Sequence, residues 1–268
     1  MPKLILSNIY IYPIKSLGGI SLQTSKIEER GLQYDRRWML VDKENKYITQ
    51  RVYPQMALLS VNISNNGLII FYKSNTEKKL LIPFEAKGQK IKVKIWNDDC
   101  DAIEYSEKIN NWFSEILNVN CKLVYMPDST ERRVSKKYVH DKKITSFSDG
   151  YPFLIIGQSS LDLLNSKLKE KIPMNRFRPN FVFTGGKPHA EDTWKKFQIG
   201  NAIFEVVKPC SRCVLTTVNQ DTGIKGKEPL ATLSTYRNFN NKVLFGQNLI
   251  CTKYSNINIG NNIKVLEY

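Results

Sequence analysis

The chain has 268 residues, of which 41% are hydrophobic and 11% aromatic, enough to bury the core of one large or two small globular domains and too apolar for a disordered chain. Forty Lys and Arg against 25 Asp and Glu leave a formal charge of +15, which favours phosphate, nucleic acid, anionic membrane or acidic protein partners, although Lys in a chain this rich in Lys, Asn and Ile also simply solvates the surface. No apolar run approaches the roughly 20 residues of a membrane span, and five scattered cysteines are no disulfide framework. The expectation is a soluble protein of the reducing cytoplasm.

Residues 1–12 read as a first strand, with Leu4, Leu6, Ile9 and Ile11, and lack the basic start and cleavage site of a secretory signal. Short β-branched and aromatic runs at 38–41, 58–63 and 67–72, broken by the polar clusters 42–45 and 64–67, predict an antiparallel sheet or small barrel. A helical period over 106–117 places Ile109, Trp112, Phe113, Ile116 and Leu117 on one face. A second helix is predicted over 159–168, opening with a serine cap before Leu161. Between them, 129–145 is polar and strongly basic and reads as an exposed loop with no apolar stripe, near the junction of two lobes. Strand-like runs return at 180–183, 202–207, 214–218, 242–245 and 263–266. The fold class is mixed α/β and β-dominated, with barrel-like sheets and a few helices.

The most distinctive chemistry is Pro209-Cys210-Ser211-Arg212-Cys213, which holds two thiols close in sequence. Structural zinc needs four ligands, and the two histidines, His140 and His189, are not spaced as a pair. Thioredoxin-like chemistry needs the first cysteine at a helix N-terminus, whereas strand-like runs flank this motif. A single reactive or metal-binding thiolate beside Arg212 is the third reading, since soft sulfur suits a sulfur-ligated metal. A plain buried cysteine is the fourth. The motif alone leaves these open.

The surrounding motifs add a resemblance. Arg176-Phe177-Arg178-Pro179-Asn180, Ala190-Glu191-Asp192-Thr193-Trp194, Cys210 to Val218, Asp221-Thr222-Gly223 and Lys227-Glu228-Pro229-Leu230 resemble the MOSC domain family. Tyr12-Pro13-Ile14-Lys15-Ser16, Gly31-Leu32, Asp35-Arg36-Arg37-Trp38 and Gln50-Arg51 with Pro54 resemble its N-terminal β-barrel partner. The pattern is most similar to mitochondrial amidoxime-reducing components and to bacterial reductases of N-hydroxylated compounds. The resemblance implies an N-terminal β-barrel-like domain over 1–120 and a MOSC β-barrel domain over 121–268.

It also implies a molybdenum cofactor, molybdopterin with a terminal phosphate, whose metal takes one protein thiolate. Cys213 matches that ligand. Lys15, Ser16 and Arg36 match the residues that hold the phosphate, and two cations with a hydroxyl suit a dianion. Arg178 and Asn180 match pterin-contacting positions, Asp149, Gly150 and Tyr151 match a loop lining the cofactor, and Ser211 and Arg212 match further contacts. Cys210 stands beside the metal without a ligand role, and Trp38 and Trp194 read as core. Pyridoxal phosphate binding, also attached to the family, is a secondary implication.

The implied reaction is two-electron removal of oxygen from an N-hydroxylated small molecule, with Asn180 or Arg212 orienting substrate and solvent supplying protons. Related bacterial proteins carry a ferredoxin-like domain after the MOSC part; no such cysteine cluster follows here, so electrons are expected from a separate flavin reductase, ferredoxin or cytochrome. The protein is expected to be a monomer without a membrane span. Two other classes compete. One is a molybdenum-cofactor or sulfur carrier acting through Cys213. The other is a nucleic-acid-binding barrel stacking bases on Tyr10, Tyr12 and Phe71, for which no specific nucleic acid is expected.

Overall fold

The structure, a computed structural model, describes residues 3–139 and 141–268; Met1, Pro2 and His140 lie outside it. Its centre is a sheet that, among the described residues, runs in the order Ile20–Leu22, Ile5–Ile11, Phe181–Thr184, Phe153–Gly157, Lys242–Lys253, Ala202–Ser211, Lys196–Ile199, Ile263–Glu267, with Asn238–Phe239 added to Lys242–Lys253. A bridge between Ile5 and Asn262 joins the last strand to the first. Backbone bonds from Leu6 to Asn261 (2.9 Å) and from Ile263 to Leu4 (2.9 Å) accompany it. The sheet thereby closes into a barrel and removes its own edges. Inward-facing positions fill the barrel with Ile9, Phe153, Phe181, Phe197, Phe204 and Leu249, all at most 1% exposed. Strand Phe153–Gly157 runs parallel to Phe181–Thr184, and the crossover that such pairing requires carries helix Gln158–Asn165.

A second unit comes from the first half of the chain. One sheet orders Trp38–Val41, Lys122–Tyr125, Asp98–Glu104 and Lys90–Ile95, and another orders Leu59–Ser64, Gly67–Tyr72 and Asn75–Pro83. Helix Glu107–Leu117 lays Ile109, Phe113 and Leu117 into the core they share with Leu40, Leu59, Ile70 and Leu123. The molecule is β-dominated, as the residue pattern indicates. No helix of the described residues is long and apolar enough to cross a membrane.

Three local expectations need correction. The second helix ends at Asn165, where the side chain turns to bond both N–H (2.9 Å) and C=O (3.0 Å) of Ile172. It has no serine cap: Gly157 is its N-cap, and the Ser160 hydroxyl instead faces Glu191. The run 214–218 is a 3-10 turn, Val214–Thr217, because the Thr216 and Thr217 hydroxyls bond back to the carbonyls of Cys213 and Val214 at 3.0 and 2.8 Å. The basic stretch 129–145 is also not fully exposed. Val134 and Val139 are buried with Tyr151 and Ile250, and Arg132 is 5% exposed.

Candidate functional site

Where the two units meet, the chain leaves a cleft of about 550 Å³, within the usual size of a cofactor site. Eight lysine and arginine side chains line it against one carboxylate, Asp149. Every residue that the resemblance assigns to the cofactor lies on its wall: Lys15, Ser16 and Arg36 from the first half, and 149–151, Arg178, Asn180 and 211–213 from the second; Tyr10, Tyr12 and Phe71, the candidate stacking residues, are not among the lining. Residues nearly 200 positions apart thus form one surface.

The loop after strand Ile5–Ile11 supplies the first wall. Its backbone is fixed by Lys15 N–H to Trp38 C=O (2.8 Å), by the Gln50 side chain donating to Ser16 C=O (2.7 Å), and by Arg178 donating to Leu17 C=O (2.7 Å). Ser16, Arg36 and Arg178 all have left-handed backbone, with φ of 68°, 49° and 54°. Such conformations are unfavourable for side chains of this kind and persist where surrounding contacts impose them, commonly at functional sites.

Tyr12 organises the cations. Its buried ring carries the Arg178 guanidinium at 4.1 Å and the Arg36 guanidinium at 4.3 Å, and its hydroxyl donates to Pro179 C=O at 3.2 Å. Burial pushes the Tyr12 phenol up and draws Arg178 down to about 10. Asp35, 1% exposed, accepts from Tyr12 N–H (2.7 Å), Arg36 (2.5 Å) and the Asn180 amide (3.1 Å). Asn180 also donates to Tyr10 C=O and accepts from Leu154 N–H and Arg36. Its amide is fully occupied by the protein, so it positions Arg36 and Asp35 rather than presenting a free donor to a ligand.

Lys15, 5% exposed, donates to Phe147 C=O (2.9 Å) and Asp149 (2.5 Å). Burial draws its pKa down to about 8, with Asp149 opposing that shift. Desolvation by the cleft wall raises Asp149, but Lys15, Arg51 and the Trp96 indole outweigh it and hold the carboxyl well below the usual range. Arg132 fixes this loop from behind, donating to the Ser146 and Ser148 carbonyls at 3.0 and 2.6 Å.

Strand Ala202–Ser211 delivers the thiols. Cys210 is half-buried and Cys213 exposed at the cleft. Burial pushes the Cys210 thiol up, with Arg212 opposing. Arg212 donates to Cys210 Sγ (3.2 Å) and Phe177 C=O (2.9 Å), while its buried Nε–H has no partner within the protein. Extended backbone at Cys210, Ser211 and Cys213 lacks the helix N-terminus that a dithiol oxidoreductase uses. His189 packs on Phe245 and Tyr236, outside the cleft lining.

The donor set fits an anionic, sulfur-ligated group: an orphaned buried Arg212 Nε–H, an exposed thiol and a surplus of cations in one cleft. Sequence reasoning gave no cofactor role to Tyr12, Asp35, Arg51, Arg176, Lys208 or Asn248. Tyr12, Asp35, Arg51 and Arg176 stood inside motifs already singled out; Lys208 and Asn248 carry no local signal.

Comparison with known proteins gives two family matches. Residues 3–120 match the MOSC N-terminal beta barrel domain and residues 142–264 the MOSC domain. Mitochondrial amidoxime-reducing component 1 of Mus musculus is 33% identical over 87% of this chain and 71% of that protein. The Homo sapiens protein of the same name is 30% identical over 97% of this chain and 82% of its own length. Molybdenum cofactor sulfurase of Oryza sativa subsp. japonica is 33% identical over 96% of this chain, which spans only 33% of that longer protein.

Proposed function

Because the chain belongs to the MOSC family, with an N-terminal MOSC β-barrel domain and a MOSC domain, we propose that it is a molybdenum-cofactor-dependent reductase of N-hydroxylated small molecules. The observation that carries this reading is the convergence of Cys213 with Lys15, Arg36, Arg178 and Arg212 on one cleft. When bound, the cofactor supplies two-electron oxygen-atom chemistry. The balance is one N–OH group, two electrons and two protons giving N–H and water.

The protein's own residues do the rest. Lys15, Ser16 and Arg36 hold the phosphate, and Arg178, Ser211 and Arg212 hold the body of the cofactor, with the orphaned Nε–H of Arg212 acquiring an acceptor. Cys213 provides the metal thiolate. Tyr12, Asp35 and Asn180 fix the guanidinium planes, so that little side-chain order is lost on binding. Among the described residues no histidine lines the cleft, and protons reach the substrate from solvent at the side where Cys213 is exposed.

Electrons come, on this reading, from a separate acidic donor protein. Lys208 and Lys242 on the cleft wall and Lys136 and Lys137 beside Tyr138 form a basic rim suited to steering such a partner. A second reading, a cofactor or sulfur carrier, is favoured by the exposure of Cys213 and by the similarity to the rice sulfurase.

The test is metal and pterin analysis of protein made in a host that synthesises the cofactor, followed by benzamidoxime reduction with dithionite-reduced methyl viologen. Near-stoichiometric molybdenum and pterin, metal loss in Cys213→Ser and amine formation support the reductase. Bound cofactor without turnover favours the carrier. Folded protein with neither molybdenum nor pterin removes both.

A further inference from the structure

Trp96 occupies a place the fold alone does not explain. It opens the two-residue turn between Lys90–Ile95 and Asp98–Glu104 with φ of 54°, where Asn or Gly is favoured and a bulky side chain is strained. Its indole stays 42% exposed, so core packing does not compensate. Its contacts instead reach the cleft. Nε1–H donates to Asp149 Oδ1 at 3.3 Å, the Arg51 guanidinium lies over the ring at 4.4 Å, and Tyr47 packs at 5.5 Å.

The same Asp149 oxygen accepts from Lys15 Nζ at 2.5 Å. A buried cation of the anion end is therefore already paired with a carboxylate of the protein itself. Asp149 is otherwise exposed, with 69% of its side-chain surface open, and its carboxylate is hydrogen-bonded to Lys15 and Trp96. An arriving phosphate brings a second anion to the same ammonium, and like charges at hydrogen-bond distance repel.

We propose that Asp149 is an internal stand-in for the phosphate, latched on Lys15 by Trp96, and that an arriving phosphate displaces it and releases the indole. The inference rests on the reading that Lys15, Ser16 and Arg36 form the phosphate site. In the empty protein the contact keeps Lys15 from being a buried, uncompensated charge. On loading, displacement frees Lys15, and Arg51, stacked beside the latch, comes into reach of the incoming anion. Trp96 is on this account a positioning residue acting through Asp149.

Full-length protein purified from a host lacking the cofactor is titrated with inorganic phosphate, following both tryptophan emission and calorimetric heat. Trp38 and Trp194 are buried and Trp112 packs on Phe113, whereas Trp96 bonds Asp149, so a saturable emission change that disappears in Trp96→Phe reports Trp96. Asp149→Asn is expected to bind phosphate about tenfold more tightly, through loss of the competing charge, and Trp96→Phe a few-fold more tightly by calorimetry. Lys15→Ala abolishes binding if the phosphate site is correctly placed. Unchanged or weaker binding in both Asp149→Asn and Trp96→Phe, with Lys15→Ala still inactive in binding, overturns the stand-in while leaving the phosphate site. Phosphate binding that survives Lys15→Ala, or is absent from wild type and Asp149→Asn alike, overturns the phosphate site and the stand-in together.

Discussion

Glu191 shows how much a single buried group contributes outside the cleft. It is 0% exposed and accepts from Gly157 N–H (3.0 Å) and the Ser160 hydroxyl (3.3 Å). Burial raises its pKa from 4.5 to about 7, against the opposing effect of these hydrogen bonds. Because the folded value lies above the unfolded one, folding favours the protonated acid. Its stabilising effect is complete below pH 4.5 and is lost as pH rises through about 7. Comparing urea unfolding of wild type and Glu191→Gln across that window should show the wild type losing about 3 kcal/mol relative to the variant. Parallel pH profiles for the two proteins would contradict this assignment. Glu191 stood inside a sequence motif, but nothing local indicated that it is buried. The same division runs through the cleft. Lys15, Arg36, Arg178 and Cys213 were legible because each stands in a short contiguous motif. Trp96 and Lys208 were not, because their meaning depends on loops that only the fold brings together; Trp96 and Asp149 are 53 positions apart.

At the scale of elements, the strand pair Ala202–Ser211 and Lys242–Lys253 does most to aim the site. Its register shifts three times, between Ile203 and Phe204, Val206 and Lys208, and Pro209 and Ser211. Such bulges bend a strand and re-aim its side chains, and Pro209, which has no N–H to donate, belongs at one. The inside–outside alternation that marks the start of the strand is blurred along 205–208, and Cys210, Ser211 and Arg212 arrive at the cleft. The sequence reveals strands here through their β-branched residues, but bulges follow from pairing partners, which no single segment contains. Gly246 is the backbone counterpart of this bend. It has φ of +77°, and a Cβ there would stand 2.6 Å from Ile156 Cγ1 and 2.8 Å from the Ile155 carbonyl oxygen. Gly246→Ala should therefore cost about 2 kcal/mol or more, seen as a lower urea midpoint. A midpoint within error of wild type would mean that the barrel relaxes there freely.

At the scale of the whole molecule, the two family domains are interleaved through shared strand pairing. The first strand, Ile5–Ile11, pairs with Phe181–Thr184 and closes the barrel through Asn262, while Thr24–Glu28 pairs with Asn256–Asn258. The amino-terminal strand is thus an interior element of the barrel built mainly by the other half. This arrangement also explains the site: the chain leaving that strand lines the cleft with Lys15 and Ser16, is held by Arg178 through Leu17 C=O at 2.7 Å, and shares the lining with Cys213. Hydrophobic periodicity announces a strand but not its partner, so this interleaving was not legible in advance. A fragment of residues 121–268 lacks Leu6, Ile9 and Ile11, all 0% exposed in the barrel core, and leaves Phe181 and Phe183 beside an open edge. It should show no cooperative thermal transition and should expose apolar surface to a hydrophobic dye. Adding residues 1–120 as a separate chain should restore the transition if the strand docks in trans. A fragment that unfolds cooperatively alone would show that the barrel closes without its first strand, and the contribution of that strand would then reduce to carrying Lys15 and Ser16 to the cleft.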